Sequence, residues 1–249
     1  MGILNVTPDS FSDGGDFASF ESAVAHGLAM LAEGADIIDI GGESTRPGAM
    51  RITEEEELSR VIPVVRELIK HGAVISIDTM RSGVARQAVE AGAAYINDVS
   101  GGLADAQMHH VTAELDTKYI LMHWRGHSID MNSKAVYDDV VEEVKAELME
   151  QVGKAQAAGI AKEKIILDPG IGFAKESEHN WELIHRITEI VDLGYPVLVG
   201  ASRKRFLGGD SPLEREAATL KITEDLLDTG IWGVRVHSVA PHKEVIASV

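Results

Sequence analysis

No cysteine occurs among the 249 residues. Disulfides, thiolate metal sites, iron–sulfur clusters and cysteine nucleophiles are thereby excluded. No apolar run reaches the roughly 18–20 residues of a membrane span. The opening residues, Met1-Gly2-Ile3-Leu4-Asn5-Val6, show no basic segment leading into an apolar one. A cytoplasmic location with no membrane partner is the resulting expectation. Basic residues are outnumbered, 23 Lys and Arg against 40 Asp and Glu, for a formal charge of −17. A nucleic acid or an anionic membrane would be repelled by that field. A small anion is not excluded, because a local group of Arg and Lys overrides the global charge at short range. Aromatic residues make up only 5% of the chain, so the core must be built from Val, Ile, Leu and Ala. Those residues suit strands covered on both faces.

What is present is a repeated pattern. Short β-branched runs stand at Gly2–Val6, Asp36–Gly41, Val74–Thr79, Ala94–Val99, Lys118–Trp124, Lys164–Asp168, Pro196–Gly200 and Gly233–His237. Between them, apolar residues recur at helical spacing: Leu58, Val61, Ile62, Val65, Leu68 and Ile69; then Val140, Val141, Val144, Leu148 and Val152; then Trp181, Ile184, Ile187 and Val191. Thr53 with Glu56, and Ser211 with Glu214, fit capping boxes at helix starts. Gly34, Gly72, Gly92, Gly159, Gly194 and Gly230 each stand shortly before the next strand, where a helix end needs a left-handed residue. An open doubly wound sheet is the rival arrangement. Strand and helix alternating through a chain of this length favour one α/β domain over 1–249, a single (β/α)8 TIM barrel.

In such a barrel the chemistry sits at the C-terminal ends of the strands. Those ends carry Asn5, Glu43-Ser44-Thr45-Arg46, Asp78, Asn97-Asp98, Met122-His123, Asp168, Ser202-Arg203-Lys204-Arg205, and Arg235 with His237. A carboxylate at the end of an apolar strand is costly to bury without a partner, which singles out Asp78 and Asp168. Each also has an ordinary explanation as a helix cap. Residues 202–205 and the Arg46 loop also fit solvated surface. His123 and His127 stand four apart, but Arg125-Gly126 between them suggests a loop rather than a metal-binding helix. Asp39 is expected to be structural, and Glu54-Glu55-Glu56-Glu57 a solvated helix start. No phosphate-binding G-x-x-x-x-G-K-[ST], dinucleotide G-x-G-x-x-G or nucleophile-elbow G-x-S-x-G is present, and no strand carries His-x-His. What remains is a set of acceptors (Asp78, Asp168, Asn97) and a set of cations (Arg46, Lys204, Arg235, His237). Acceptors suit a flat heterocycle rich in N–H donors, and cations suit an anionic leaving group. The combination suggests group transfer with departure of phosphate or pyrophosphate.

The same residues resemble the dihydropteroate synthase family. The similar segments are Met1–Gly15, Gly41-Gly42-Glu43-Ser44-Thr45-Arg46-Pro47-Gly48, Ile77-Asp78-Thr79, Ile96–Gly102, Asp168-Pro169-Gly170-Ile171-Gly172-Phe173, Ser202-Arg203-Lys204 and Arg235-Val236-His237, in family order. The resemblance spans essentially the whole chain, and His123-Trp124-Arg125 resembles the actinobacterial branch. It implies condensation of 6-hydroxymethyl-7,8-dihydropterin pyrophosphate with p-aminobenzoate, a cytoplasmic step of folate biosynthesis inhibited by sulfonamides. By resemblance Asp78, Asn97, Asp168 and Lys204 hold the pterin, Met122 lines its pocket and Arg235 stacks on it. Asn5, Arg235 and His237, flanking Val236, form the pyrophosphate site, with Asn5 helping to bind Mg²⁺. Thr45, Arg46, Pro47, Phe173 and Ser202 surround the aminobenzoate. Lys204, Asp168, Arg235 and His237 are the residues implied to be catalytic, the substrates the small-molecule partners, and the assembly a homodimer. Ser238 stands where the family usually has Asp, and Ala174 where Gly is common. The chain also opens at its first strand, where family members usually have several residues before it. A pterin-binding homologue without synthase activity and a methyltetrahydrofolate-dependent methyltransferase domain are the alternatives.

Overall fold

The computed structural model describes residues 1–7, 15–44, 51–127 and 131–248. Thr45, Arg46 and Pro47 lie outside them. The strands are β1 (Gly2–Asn5), β2 (Ile38–Gly41), β3 (Ile75–Asp78), β4 (Tyr95–Asp98), β5 (Lys118–Met122), β6 (Ile165–Asp168), β7 (Leu198–Val199) and β8 (Gly233–Val234). Each falls inside one of the β-branched runs. β1 to β6 pair in parallel in chain order, and β7 pairs in parallel with β8. Two further parallel contacts join these groups, Leu167 with Val197 and Gly2 with Val236. The Leu167 amide donates to Pro196 O at 2.8 Å, the Ile3 amide to Val236 O at 2.9 Å, and the Val236 amide to Met1 O at 3.0 Å. The ring is therefore closed, and the rival open sheet is excluded.

Helices follow the strands: α1 (Gly15–Ala32), α2 (Glu54–Lys70), α3 (Ser82–Glu90), α4 (Met108–Leu115), α5 (Val140–Ala157), α6 (Ser177–His185), α7 (Ile187–Val191), α8 (Glu216–Leu226) and α9 (Val239–Ile246). Strand residues alternate between two cores, as a period of two requires. Ile38, Ile40, Ile75, Ile77, Ile96, Leu121, Ile165, Leu167, Val197 and Val199 belong to the large apolar cluster shared with the helices. Ile37, Tyr95, Ile120, Ile166 and Leu198 form a second cluster inside the barrel. Each buried aliphatic side chain contributes about 1.5–3 kcal/mol. Above the inner cluster, register sets Asn5, Gly41, Asp78 and Asn97 side by side, and Met122 beside Asp168. The polar strand ends thus share one face because they continue the inward-pointing phase.

Local signals explain most boundaries. Thr53 Oγ1 accepts from the Glu56 amide at 3.2 Å and starts α2. All six helix-ending glycines adopt positive φ, from 78° at Gly194 to 116° at Gly92, a conformation without steric penalty only for glycine. Three expectations change. The Trp181–Val191 pattern forms two helices, divided at Arg186, which leaves helical geometry at φ −106° and ψ 23°; its guanidinium pairs with Asp139, Glu182 and Glu189. Ser211 and Glu214 bond each other, but in a turn ahead of α8 rather than at its start. Glu57 is not part of a solvated face; it is 1% exposed. Its carboxylate accepts from Thr79 Oγ1 at 2.6 Å and pairs with Arg81.

Candidate active site

The strand ends form one connected cluster of charge. Arg235, leaving β8, donates through Nε to Asp39 Oδ2 at 2.6 Å and through Nη2 to Asp78 Oδ2 at 2.7 Å. Asn97 Nδ2 donates to the same Asp39 oxygen at 3.0 Å. Asp39 is fully buried, one inward-facing position below Gly41 on β2. It is the group that anchors both Arg235 and Asn97, a structural role. The period-two spacing Ile37, Asp39, Gly41 would have placed it inside the barrel. Burial raises the Asp78 carboxyl to about 7; Arg235 opposes this and the Asp39 charge reinforces it.

Asp168 and Lys204 make the opposite side. Burial raises the Asp168 carboxyl, against the pull of Lys204 and of the Gly170 amide, which donates to Oδ1 at 2.7 Å. Burial lowers the Lys204 ammonium to about 8 although Asp168 favours its charged form. Lys204 donates to the Ile171 carbonyl and stands 4.5 Å from the centre of the Phe173 ring. Met122 is buried next to Asp168 on the adjoining strand. Gly200 faces Asp168 and Arg235: a Cβ there would lie 3.8 Å from Asp168 Oδ2 and 3.9 Å from Arg235 Cβ.

Ser202 and His237 join β7 to β8. Ser202 Oγ is 2.9 Å from His237 Nδ1 and accepts from the His237 amide at 3.2 Å. The next residues pair too: Arg203 Nη2 donates to Ser238 Oγ at 2.7 Å, and Arg203 Nε to Glu216 at 2.6 Å. Ser238 therefore still has Arg203 as its partner where the family usually has Asp. Of residues 202–205, Ser202 is buried, Arg203 and Lys204 are half-buried and only Arg205 is exposed, so solvated surface describes one of the four. Asp98, adjacent to Asn97, points to the helix side. It accepts from Ser100, the Gly102 amide and Tyr119, which explains its burial without a role in the site. Val236 is buried in the outer core, so its contribution is to carry Arg235 and His237 inward on either side.

Two shallow openings among the described residues lie on this mouth. One is lined by Glu43, Arg51, Met80, Trp124, His127 and Phe173 among others. The second lies over Asp78 beside Glu43, Glu57 and Arg81. Arg81 was not singled out in the sequence, yet it pairs with Glu43 and Glu57 and donates to Ile52 O. It thereby ties residues on both sides of the 45–50 segment to the end of β3.

No group of three His, Cys, Asp or Glu among the described residues could hold a metal ion. The amide oxygen of Asn5 is a hard donor, half-buried at the mouth; a Cβ on Gly41 would lie 3.7 Å from it and 3.5 Å from Asp78 Oδ2. One protein oxygen of this kind suits Mg²⁺, which keeps several waters and takes the rest of its shell from substrate phosphates.

Residues 1–237 match the family described as pterin binding enzyme. A dihydropteroate synthase of Mycobacterium leprae (strain TN) is 51% identical over 249 aligned residues, covering 96% of this chain and 88% of the relative. The solved Xanthomonas albilineans dihydropteroate synthase with 4-aminobenzoic acid is 43% identical, with a TM-score of 0.94, over 100% of this chain and 90% of that one. A structure from the same organism with 7,8-dihydropteroate gives 40% identity and a TM-score of 0.90 over the same shares.

Proposed function

This chain belongs to the pterin-binding enzyme family, and on that premise we propose that it joins 6-hydroxymethyl-7,8-dihydropterin pyrophosphate to p-aminobenzoate, releasing pyrophosphate and forming 7,8-dihydropteroate. This is the dihydropteroate synthase reaction of folate biosynthesis, an aryl-amine alkyl transfer. The observation that carries the reading is the opposition of Asp168 and Lys204 to Asp78, Asn97 and Arg235 at one mouth. A flat heterocycle with N–H donors on one edge and acceptors on another needs that set.

The aromatic amine is neutral near pH 7 and attacks without a dedicated base. The C–N bond forms as the C–O bond breaks, pyrophosphate leaves with the electron pair, and the resulting arylammonium nitrogen gives up its extra proton to the departing pyrophosphate or to water. Asp168 and Asn97 hold the pterin edge, and the Lys204 ammonium donates to its acceptors. Arg235, fixed in plane by Asp39 and Asp78, covers a ring face. The carboxylates of Asp168 and Asp78 stabilise positive charge on the pterin as the C–O bond lengthens. Ser202 Oγ accepts from the His237 amide and lies 2.9 Å from His237 Nδ1, which fixes the imidazole beside Arg235. Held there, the imidazole and Arg235 together meet the leaving anion. Asn5 would hold Mg²⁺, which when bound would help neutralise the charge on the pyrophosphate. Phe173 and Ser202, with Thr45, Arg46 and Pro47 outside the described residues, take the aminobenzoate. A sulfonamide, which presents the same aromatic amine, competes there.

A homodimer is carried over from the family resemblance. A cytoplasmic location accords with the absence of cysteine; no helix among the described residues is long and apolar enough to cross a membrane. The test is pyrophosphate release measured with both substrates and Mg²⁺. Release that requires both substrates supports the reading. Pterin binding without release would favour the non-catalytic homologue.

A further inference from the structure

Lys175 carries a half-buried charge that the reaction above does not use. Its ammonium has three acceptors around it: His123 Nδ1 at 2.9 Å, Gly170 O at 3.1 Å and Phe173 O at 3.1 Å. His123 is 2% exposed, and its Nε2 lies 2.9 Å from Glu147 Oε2. The proton on Nε2 is therefore given to Glu147, and Nδ1 is left to accept from Lys175. Glu147 is held in turn by Arg125, through Nε at 3.1 Å and through Nη2. The chain of contacts runs from α5 through the β5 loop to the β6 loop.

That β6 loop is unusual in its backbone. Gly170, Gly172 and Ala174 all adopt left-handed φ, at 68°, 78° and 47°. Ala174 in this region is sterically disfavoured, so its neighbours must hold it. Tyr137 does so by donating to Ala174 O at 3.0 Å, and Asn180 Oδ1 accepts from the Gly172 amide at 2.6 Å. The same residues form the seat of Lys204. Ile171 O accepts from it, the Phe173 ring stands against it, and a Cβ on Gly172 would come within 2.7 Å of its Cδ.

We propose that Lys175 is a positioning residue: its ammonium, oriented by the His123–Glu147 pair, draws the Gly170 and Phe173 carbonyls together and so fixes the loop that seats Lys204. The proposal deepens the reading of Lys204 as a pterin-binding group and rests on it. Three acceptors need three donors, so the arrangement requires the charged form of Lys175. Burial lowers that ammonium to about 7; Asp168 and Glu147 favour its charge, and Lys204 and Arg125 oppose it.

The experiment compares the parent, Lys175→Met and Glu147→Ala by steady-state kinetics across pH. In Lys175→Met, kcat/KM for the pterin substrate should fall about tenfold or more, as misplacement of a binding group does. Its alkaline limb should move to higher pH, because the group that loses its proton first, Lys175, is removed. In Glu147→Ala, where a partly exposed carboxylate on α5 is lost, the limb should move to lower pH. Rates within twofold of the parent, or a rate loss with both limbs unmoved, would overturn the proposal. A parent that releases no pyrophosphate would instead refute the functional reading. In that case amide exchange of residues 170–175 decides: faster exchange in Lys175→Met supports the positioning role, and unchanged exchange overturns it.

Discussion

Replacing Asp39 by Asn tests the buried network on which the site is built. Asp39 Oδ2 receives Arg235 Nε at 2.6 Å and Asn97 Nδ2 at 3.0 Å. Its Oδ1 is buried with no hydrogen-bond partner among the described residues. An asparagine of the same shape keeps its oxygen toward the two donors and puts its amide where Oδ1 stood. The geometry is preserved and one charge is removed. Breaking a buried ion pair costs about 3–5 kcal/mol; Arg235 keeps Asp78 as a second partner, so the low end, about 3 kcal/mol, is expected. For a chain of this size that lowers Tm by roughly 6–12 °C. Asp78 also changes. The Asp39 charge helps to hold its carboxyl up at about 7, while Arg235 pulls it down. With Asp39 neutral, the repulsion is gone and the pull of Arg235 is undivided. The Asp78 carboxyl should then ionise at lower pH, and the acidic limb of kcat/KM should follow it downward. Calorimetric unfolding and a pH–rate profile read both effects. A Tm within 2 °C of the parent together with an unmoved acidic limb would refute the argument that Asp39 anchors Arg235.

Three further outcomes follow from named contacts. Lys204→Ala and Asp168→Asn should each reduce turnover about a hundredfold or more while leaving the circular dichroism spectrum intact; near-parent rates in either would show the role assignments to be wrong. His123 is held neutral, lowered to about 4 by burial first and the Lys175 charge second. The unfolded chain takes up that proton below about pH 6.5, so stability should fall as pH drops from there toward 4, by about 2 kcal/mol at pH 5. Denaturant titrations should therefore show a gap between the parent and His123→Gln that narrows from pH 7 to pH 5, and a constant gap would contradict the buried neutral imidazole. Gly170→Ala would place a Cβ 2.4 Å from His123 O at a φ of 68°, and should cost about 2–3 kcal/mol by denaturant titration; an unchanged midpoint would refute the close approach.

Much of this was legible in the sequence because barrel folds repeat local signals. The β-branched runs, the six helix-ending glycines and the inward phase of Asn5, Asp78, Asn97 and Asp168 depend on spacing alone. The same period of two places Asp39 inside, but a single buried carboxylate has no sequence mark that says which distant arginine it holds. Arg235 lies 196 residues away. Glu57 was hidden differently. Four consecutive glutamates suggest a solvated helix start, and only the tertiary approach of Thr79 and Arg81 turns one of them inward. Lys175 and Glu147 carry no mark in the sequence for the same reason. The division of Trp181–Val191 into two helices turns on one residue, Arg186, whose departure from helical geometry periodicity does not register. The strand-end residues that gather at the mouth were legible by position; the side chains that pair with them required the three-dimensional contacts.

The central claim is that the strand ends form one pterin site with divided roles. A crystal structure of the protein with 6-hydroxymethyl-7,8-dihydropterin pyrophosphate and Mg²⁺ tests it most directly. The pterin ring should lie between Asp168–Lys204 and Asp78–Asn97 with Arg235 on its face, and the pyrophosphate should reach Asn5 and His237. A ring bound away from Asp168, or a pyrophosphate turned from His237, would contradict the account.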